Sequence, residues 1–364
     1  MNTSRGAWRV VRGAMSTVTI VVAIPSLVAA QDIAERVRQV GNGTLRMSFA
    51  ARAGVCGDGG DMVGFGRALY IWPSIESHGR WDAPRCVPGP ARVAVTVDDG
   101  RPVSVRTFVG GGWSARASAT DIGTVPAAQA AGYFVSLAAG GDGRLSRDAI
   151  LPAVIADSAD VAPDLLRLGR DRQRPTETRS RALHWVGQLA GASAIDPLLA
   201  IARDDDERRG VREASVFALA TIPDGAGVGA LIGLAGTDGD DWLREKAVFW
   251  LGETDDARAT QLLQRLALQE SADVDLRKAA LFSLGRSRMP IEQLVGLYAR
   301  LNGDELREHF IFVLSQRRED AALEKLIDIA RRDPNANMRK KALFWLGQSD
   351  DPRATQLIRD LVLN

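Results

Sequence analysis

The chain has 364 residues, of which 46% are hydrophobic and 25% are charged, and its formal net charge is +1. A net charge this close to zero gives no strong electrostatic attraction to nucleic acid or to an anionic membrane. Neither is therefore expected as a partner.

The first 30 residues have the pattern of an export signal peptide. Three arginines precede an apolar run over 18–28, and Val28-Ala29-Ala30 forms a small-x-small cleavage site before Gln31. The apolar run is shorter than the ~20 residues that a membrane span requires. We predict a signal peptide over 1–30 and an exported mature chain, periplasmic or extracellular, without stable membrane insertion.

Residues 31–119 are rich in glycine, and their apolar residues alternate instead of following helical spacing. Arg92–Val97 and Val103–Val109 lie on either side of Asp98-Asp99-Gly100, which is a strong hairpin signal. The pattern predicts a small antiparallel β module.

The β module contains both cysteines of the chain, Cys56 and Cys86. In an exported protein a disulfide between them is the default expectation. It would reduce the conformational entropy of the unfolded module, whose core is small. The alternative is a pair of free thiols, or a Cys56 nucleophile that uses His78, although nothing else in the segment completes such a catalytic set.

Residues 120–177 have helical but irregular periodicity. Ala127–Ala139 resembles a degenerate copy of a phrase that recurs further along the chain. Terminal units of a repeat array are usually atypical because one of their faces has no neighbour. We therefore predict an irregular helical cap over 120–177.

Over residues 178–364 one ten-residue phrase recurs six times, and a second predicted helix follows each copy. Every copy starts with an arginine that lies 30 to 33 residues after the previous one. A fixed period in this range indicates stacked helix pairs, that is, an α-solenoid. The copies are Arg179–Gln188, Arg212–Thr221, Arg244–Glu253, Arg277–Arg286, Arg307–Gln316 and Arg339–Gln348.

The phrase resembles HEAT-like repeats of the phycobilisome-lyase type. The third copy shows the family pattern as Leu243-Arg244-x-x-Ala247-x-x-x-Leu251-Gly252, whereas the fifth copy has Phe310 for the alanine and Ser315 for the glycine. The resemblance implies that the phrase helices line the concave side of a superhelix. It does not extend to the β module, and it does not imply lyase activity because a fold does not fix a function.

One position of the phrase lies almost opposite the core-facing residues on a helical wheel. An exposed column of aromatic residues there would bind an extended peptide or an amphipathic helix of a partner. The alternative is that the rings pack sideways between neighbouring phrase helices. The column residues are His184, Phe217, Phe249, Phe282, Phe312 and Phe344.

The arginine that leads each phrase is interpreted as structural. We expect it to pair with acidic residues in the turn before its helix, and not to form an anion-binding track. The tryptophans Trp185, Trp250 and Trp345 are predicted to fill the core. The structural arginines are Arg179, Arg212, Arg244, Arg277, Arg307 and Arg339.

Motifs for catalysis or metal binding are not apparent. His78, His184 and His309 lack metal-ligand spacing, and the acidic runs Asp204–Glu207 and Asp238–Asp241 lack the spacing of a calcium loop. We expect no catalytic residues, metal or cofactor.

Together these patterns predict a non-catalytic protein-binding scaffold or adaptor in the cell envelope, whose partner binds the concave face. One alternative is an enzyme, or enzyme subunit, with a site where the β module meets the solenoid. Another is a structural homo-oligomer that stacks through the apolar C-terminal helix.

Overall fold

The computed structural model describes residues 25–60, 62–65, 68–71, 86–113, 118–237 and 240–363. It confirms the predicted fold class: an α-solenoid preceded by a small sheet module. Of the predicted signal peptide only 25–30 are described, as the start of the first helix, so its cleavage stays a prediction. His78 and Asp238 lie outside the described residues.

The strands are β1 (Gly43–Phe49), β2 (Val55–Gly57), β3 (Met62–Phe65), β4 (Ala68–Ile71), β5 (Ala91–Asp98), β6 (Arg101–Val109) and β7 (Thr120–Thr124). The helices are α1 (Pro25–Val40), α2 (Ala127–Gly140), α3 (Gly143–Ile155), α4 (Ala162–Arg170), α5 (Thr176–Ala190), α6 (Ile195–Ala202), α7 (Arg209–Ala220), α8 (Val228–Thr237), α9 (Asp241–Glu253), α10 (Ala257–Leu268), α11 (Val274–Arg286), α12 (Ile291–Gly296), α13 (Asp304–Ser315), α14 (Asp320–Arg332), α15 (Ala336–Leu346) and α16 (Pro352–Leu363).

Two sheets form the β module, one in the order β6-β5-β1-β7 and the other in the order β2-β3-β4. The predicted hairpin joins β5 to β6, and Asp99 and Gly100 have the positive φ values, 47° and 69°, of a type I′ turn. The edge strand β7 pairs with β1 in parallel and begins just after the boundary predicted at 119. It gave no sequence signal because none of its five residues is fully buried.

The predicted disulfide is confirmed. Cys56, in β2, is bonded to Cys86, and their Cα atoms are 5.2 Å apart. A cysteine bonded in this way has no thiolate to act as a nucleophile, so the alternative of a Cys56 nucleophile is wrong for this oxidised form.

The solenoid consists of two layers of helices. The phrase helices α5, α7, α9, α11, α13 and α15 form one layer, each packed on the next. Partner helices form the other layer, with α4 packed on α5, α6 on α7, α8 on α9, α10 on α11 and α14 on α15.

The layer of phrase helices begins one helix earlier than the sequence suggested. α3 packs on α5, and its Arg147 lies 32 residues before Arg179, so α3 is a degenerate seventh copy of the phrase. The helix at Ala127–Ala139, α2, contacts α3 and α4 and takes the place of a partner helix. Pro152 in the aromatic position of α3 and Ile155 in its glycine position concealed the copy.

Some neighbouring phrase helices approach each other closely because the phrase ends in glycine. A Cβ atom on Gly187 would lie 2.2 Å from the carbonyl oxygen of Ala218, and one on Gly252 would lie 2.7 Å from that of Ser283. Real Cβ atoms do not approach oxygen this closely. The α5–α7 and α9–α11 contacts therefore require glycine on one helix and a small residue on the other.

At three junctions a tryptophan replaces the small residue, and the preceding phrase ends in Ile155, Ala220 or Ser315 instead of glycine. Trp185 is 1% exposed, as predicted for a core residue, whereas Trp250 and Trp345 are only partly buried. We call these places the first, second and third tryptophan junctions. They lie at the α3–α5, α7–α9 and α13–α15 contacts, with Trp185, Trp250 and Trp345 respectively.

Among the described residues, one helical stretch, Thr176–Ala202, is long and apolar enough to cross a membrane by length and composition alone. It consists of α5 and α6, joined at Gly191, whose φ of 57° interrupts the helical geometry. Its Trp185 and Leu198 are buried within the array. These residues contribute to the core of the solenoid.

The close α5–α7 contact can be tested with Gly187→Ala. The added methyl group has no space, so we expect the free energy of unfolding to fall by about 1–3 kcal/mol. Gly229→Ala in α8 is the matched control, because a Cβ there meets nothing within 4 Å. The control should be neutral or stabilising by up to about 1 kcal/mol in urea denaturation; equal losses in both variants would contradict the packing argument.

Candidate functional site

The predicted aromatic column is mostly packed sideways between phrase helices, and one of its members is exposed. His184, Phe217, Phe249, Phe282 and Phe312 are partly buried. Phe344 is 57% exposed, the largest value among the large hydrophobic side chains of the described residues. Both interpretations of the column therefore apply, each to a different part of the array.

The covered rings contact their neighbours directly. His184 stacks on Phe217 with centroids 4.8 Å apart, and Phe217 contacts Trp250 at 4.5 Å across the second tryptophan junction. The guanidinium of Arg286 lies over Phe249 at 5.7 Å and over Phe282 at 5.8 Å. A continuous aromatic column open to a ligand does not form along this part of the array.

The third tryptophan junction contains a groove of about 650 Å³, which we call the candidate groove. Its aromatic wall is a cluster in which Trp345 lies 5.2 Å from Phe312 and 5.1 Å from Phe344, measured between ring centroids. The groove thus combines an exposed ring with charged side chains. Its lining residues are Lys278, Glu305, Glu308, His309, Phe312, Lys340, Lys341, Phe344 and Trp345.

Ion pairs between neighbouring phrase helices occupy most of the charges in the candidate groove. Lys341 of α15 pairs with Glu308 of α13 at 2.5 Å, and Lys278 of α11 pairs with Glu305. Lys340 is exposed and forms no ion pair or hydrogen bond with the described residues. Burial lowers the pKa of His309, which keeps this imidazole neutral near pH 7.

At the first tryptophan junction the equivalent space is filled by the β module. Phe65, at the end of β3, packs on Trp185 with ring centroids 5.9 Å apart. The aromatic position of α3 is Pro152, so α3 offers no ring. Phe65 takes the role that Phe217 and Phe312 have at the other two junctions. The β module thus supplies the ring that packs on the tryptophan at this end of the array.

An acidic residue and a basic residue of neighbouring phrase helices also interact across each tryptophan junction. Glu213 pairs with Lys246 at 2.6 Å, as Glu308 does with Lys341. At the first junction the acid is Asp148, which lies 3.4 Å from Arg144 and interacts electrostatically with Arg181. Burial raises the pKa of Asp148 to about 6, although the nearby arginines oppose that shift. Asp148 gave no signal in the sequence, because α3 lacks the aromatic and glycine residues that mark the other copies of the phrase.

The lead arginines stabilise the array, but most of their partners differ from those expected. Five of the six donate to a main-chain carbonyl near the end of the preceding partner helix. The acceptors for Arg179, Arg212, Arg277, Arg307 and Arg339 are Gly169, Ala202, Ala267, Leu301 and Asp333. Such carbonyls lack partners within their own helix and attract positive charge.

The acidic partners lie mainly in the next repeat. Arg179 binds both carboxylate oxygens of Glu207, and Arg212 pairs with Asp240 at 2.5 Å. Among the described residues, the lead arginines that pair with a carboxylate in their own turn or first helical turn are Arg212 and Arg244, with Asp205 and Asp241. Asp275 and Asp304, which lie just before Arg277 and Arg307 and were expected to be their partners, accept instead from Lys278 and Asn335.

The junction between the β module and the solenoid contains a second pocket, of about 590 Å³. Its Arg52 donates to the carbonyls of Val154 at 3.2 Å and Ala159 at 2.6 Å, which fixes the segment after β1 to the end of α3. Histidine and cysteine are absent from the described residues that line it. Across the described residues, no cluster of three His, Cys, Asp or Glu could hold a metal ion.

The buried Arg179–Glu207 pair predicts a large loss of stability in Arg179→Met. The side chains are 3% and 6% exposed, so the variant would leave the Glu207 carboxylate without compensation. We expect a loss of about 3–5 kcal/mol in chemical denaturation. Arg288→Met, which removes an exposed contact with Asp255, should cost no more than about 1 kcal/mol. Similar losses of stability in the two variants would show that the buried Arg179–Glu207 pair matters no more for stability than an exposed pair.

His184 predicts a pH dependence of stability. Burial first, and Arg181 second, lower its pKa from 6.5 to about 4. Between these values the unfolded chain binds more protons than the folded chain, so stability falls as the pH drops from 6.5 towards 4. His184→Phe, the residue of the other five copies, should lose less stability on acidification than the wild type in thermal denaturation. Parallel curves for the two proteins would refute this assignment.

Residues 197–285 match the family model for HEAT repeats. No curated protein sequence matches the chain. The CpcE–CpcF complex of phycocyanin lyase from Nostoc sp. PCC7120 is 20% identical, with a TM-score of 0.33 over 54% of this chain and 80% of that chain. Human deoxyhypusine hydroxylase in complex with glycerol is 17% identical, with a TM-score of 0.29 over 64% of this chain and 89% of that chain.

A third solved structure, the Mot1 N-terminal domain in complex with TBP, is 14% identical, with a TM-score of 0.28. The similarity covers 62% of this chain and 32% of that chain. The family match falls on the second to fourth phrase helices and their partner helices, which share their phrase with the rest of the array. The helix pairs over 197–285 therefore match HEAT repeats, and the other phrase helices of the solenoid repeat the same sequence pattern.

Proposed function

We propose that this protein is a non-catalytic scaffold or adaptor that binds a protein partner through the phrase-helix face of its solenoid. The observation that supports this most is Phe344, 57% exposed beside Trp345 in a groove bordered by charged side chains. Large aromatic side chains with a polar surround are typical of the residues that contribute most to protein interfaces.

The form of the candidate groove favours an extended segment of the partner. At about 650 Å³ it has room for a few side chains, and the Lys278–Glu305 and Lys341–Glu308 ion pairs link the three helices α11, α13 and α15 that line it. A preformed site requires little ordering on binding, which lowers the entropic cost of association.

We propose that the protein acts in the cell envelope. The Cys56–Cys86 disulfide is consistent with an oxidising compartment, where such bonds persist. The predicted signal peptide over 1–30 supports the same location.

Site-specific photocrosslinking tests the binding face. With p-benzoylphenylalanine in place of Phe344, we expect a discrete adduct with a second protein in the native envelope fraction. The same substitution at Gln261, an exposed residue of the partner helix α10, is the control and should give no adduct.

Other outcomes of this experiment contradict the proposal in distinct ways. An adduct that forms only with another copy of the chain would favour a structural homo-oligomer. Equal adducts from Phe344 and Gln261 would place the interaction elsewhere. A parallel Phe344→Ser variant should keep its thermal stability, because the ring is exposed, and should lose the partner.

A further inference from the structure

The exposed ring of Phe344, together with Lys340, which has no partner among the described residues, indicates what the candidate groove binds. We propose that the groove takes an aromatic side chain adjacent to a carboxylate, presented by an extended segment of a partner protein. This inference rests on the proposed protein-binding function and specifies the partner's chemistry.

The chain itself shows how a tryptophan junction is filled. At the first junction Phe65 enters from outside the solenoid, on a strand of the β module, and its ring lies 5.9 Å from that of Trp185. With Phe65 in place, Trp185 is 1% exposed. An aromatic side chain on an extended strand is thus a ligand that this type of junction already accommodates.

At the third junction Phe312 already occupies the place that Phe65 takes at the first, so an aromatic ligand would pack on the exposed ring of Phe344. Trp345 contacts Phe312 from the preceding repeat, and Phe344 presents a largely exposed ring beside it. Aromatic rings pair favourably in edge-to-face or offset geometry, with centroids 4.5–7 Å apart, beyond the gain from burial alone. An aromatic ligand would therefore gain more here than an aliphatic one of similar size.

The charges of the candidate groove favour an acidic neighbour to that ring. Its lining has three lysines and two glutamates, and His309 is neutral. The two glutamates are paired with Lys278 and Lys341, which leaves Lys340 as the cation without a partner among the described residues. A carboxylate beside the aromatic residue would pair with Lys340, whereas a basic residue would be repelled.

Synthetic peptide arrays on the full chain test this proposal. The arrays contain ten-residue peptides with a central Phe or Trp, followed by Asp, Lys or Ser, and matched peptides with Ala in the central position. We expect binding to the aromatic–Asp peptides, a loss of about fivefold for aromatic–Lys peptides, and little binding to the Ala series.

Lys340→Glu is the decisive variant, because this exposed residue can be reversed in charge without disturbing the core. It should reverse the order of the Asp and Lys peptides while the Ala series stays weak. Arg359→Glu, at an exposed position of the partner helix α16, is the matched charge reversal and should leave the order unchanged.

Peptide binding with no aromatic preference, or with an order unaffected by Lys340→Glu, would overturn the inference and leave the proposed function intact. If no peptide binds and the Phe344 photocrosslink is also absent, the proposed function fails together with the inference. If no peptide binds while the crosslink forms, the partner is not a short aromatic–acidic segment and only the inference fails.

Discussion

The distance between successive phrase helices is the constraint on which the rest of the solenoid depends. Where the phrase ends in glycine and the next helix offers Ala218 or Ser283, backbones meet with no space for a Cβ atom. Where the next helix offers tryptophan, the glycine is absent and aromatic rings occupy the junction. Small-to-small contacts give close helix packing, and large side chains must be accommodated by local separation or exposure. The groove arises at a junction of the second kind.

The two kinds of junction explain why the repeat array could be predicted from the sequence more fully than the candidate groove. The period, the lead arginines, the hairpin and the disulfide depend on local patterns, which a single sequence shows directly. Whether Phe249 or Phe344 is exposed depends on neighbours in other repeats. Arg286 covers the former, and no described side chain covers the latter to a similar degree. A helical wheel gives the direction of a side chain but contains no information on lateral neighbours.

The parts that the sequence did not reveal have their own physical reasons. α3 was missed because Pro152 and Ile155 occupy the positions by which the other copies were recognised, although Arg147 keeps the period. Phe65 lies in a glycine-rich segment with little periodicity, so its contact with Trp185 had no sequence signal. The lack of a partner for Lys340 depends on ion pairs between helices, Lys278–Glu305 and Lys341–Glu308, which the sequence does not show. Of these, α3 belongs to the cap of the array, where departure from the repeat pattern is expected, and Phe65 belongs to the β module that packs on it.

The contacts of the lead arginines have a consequence for how the solenoid unfolds. Arg179 joins the end of α4 to Glu207 of the following repeat, and Arg212 joins the end of α6 to Asp240. Each of these arginines therefore makes stabilising contacts in two repeats at once. In a linear array, such nearest-neighbour coupling makes the loss of one unit destabilise the next. The amino-terminal repeats should accordingly melt as one cooperative block, with protection from hydrogen exchange shared among them.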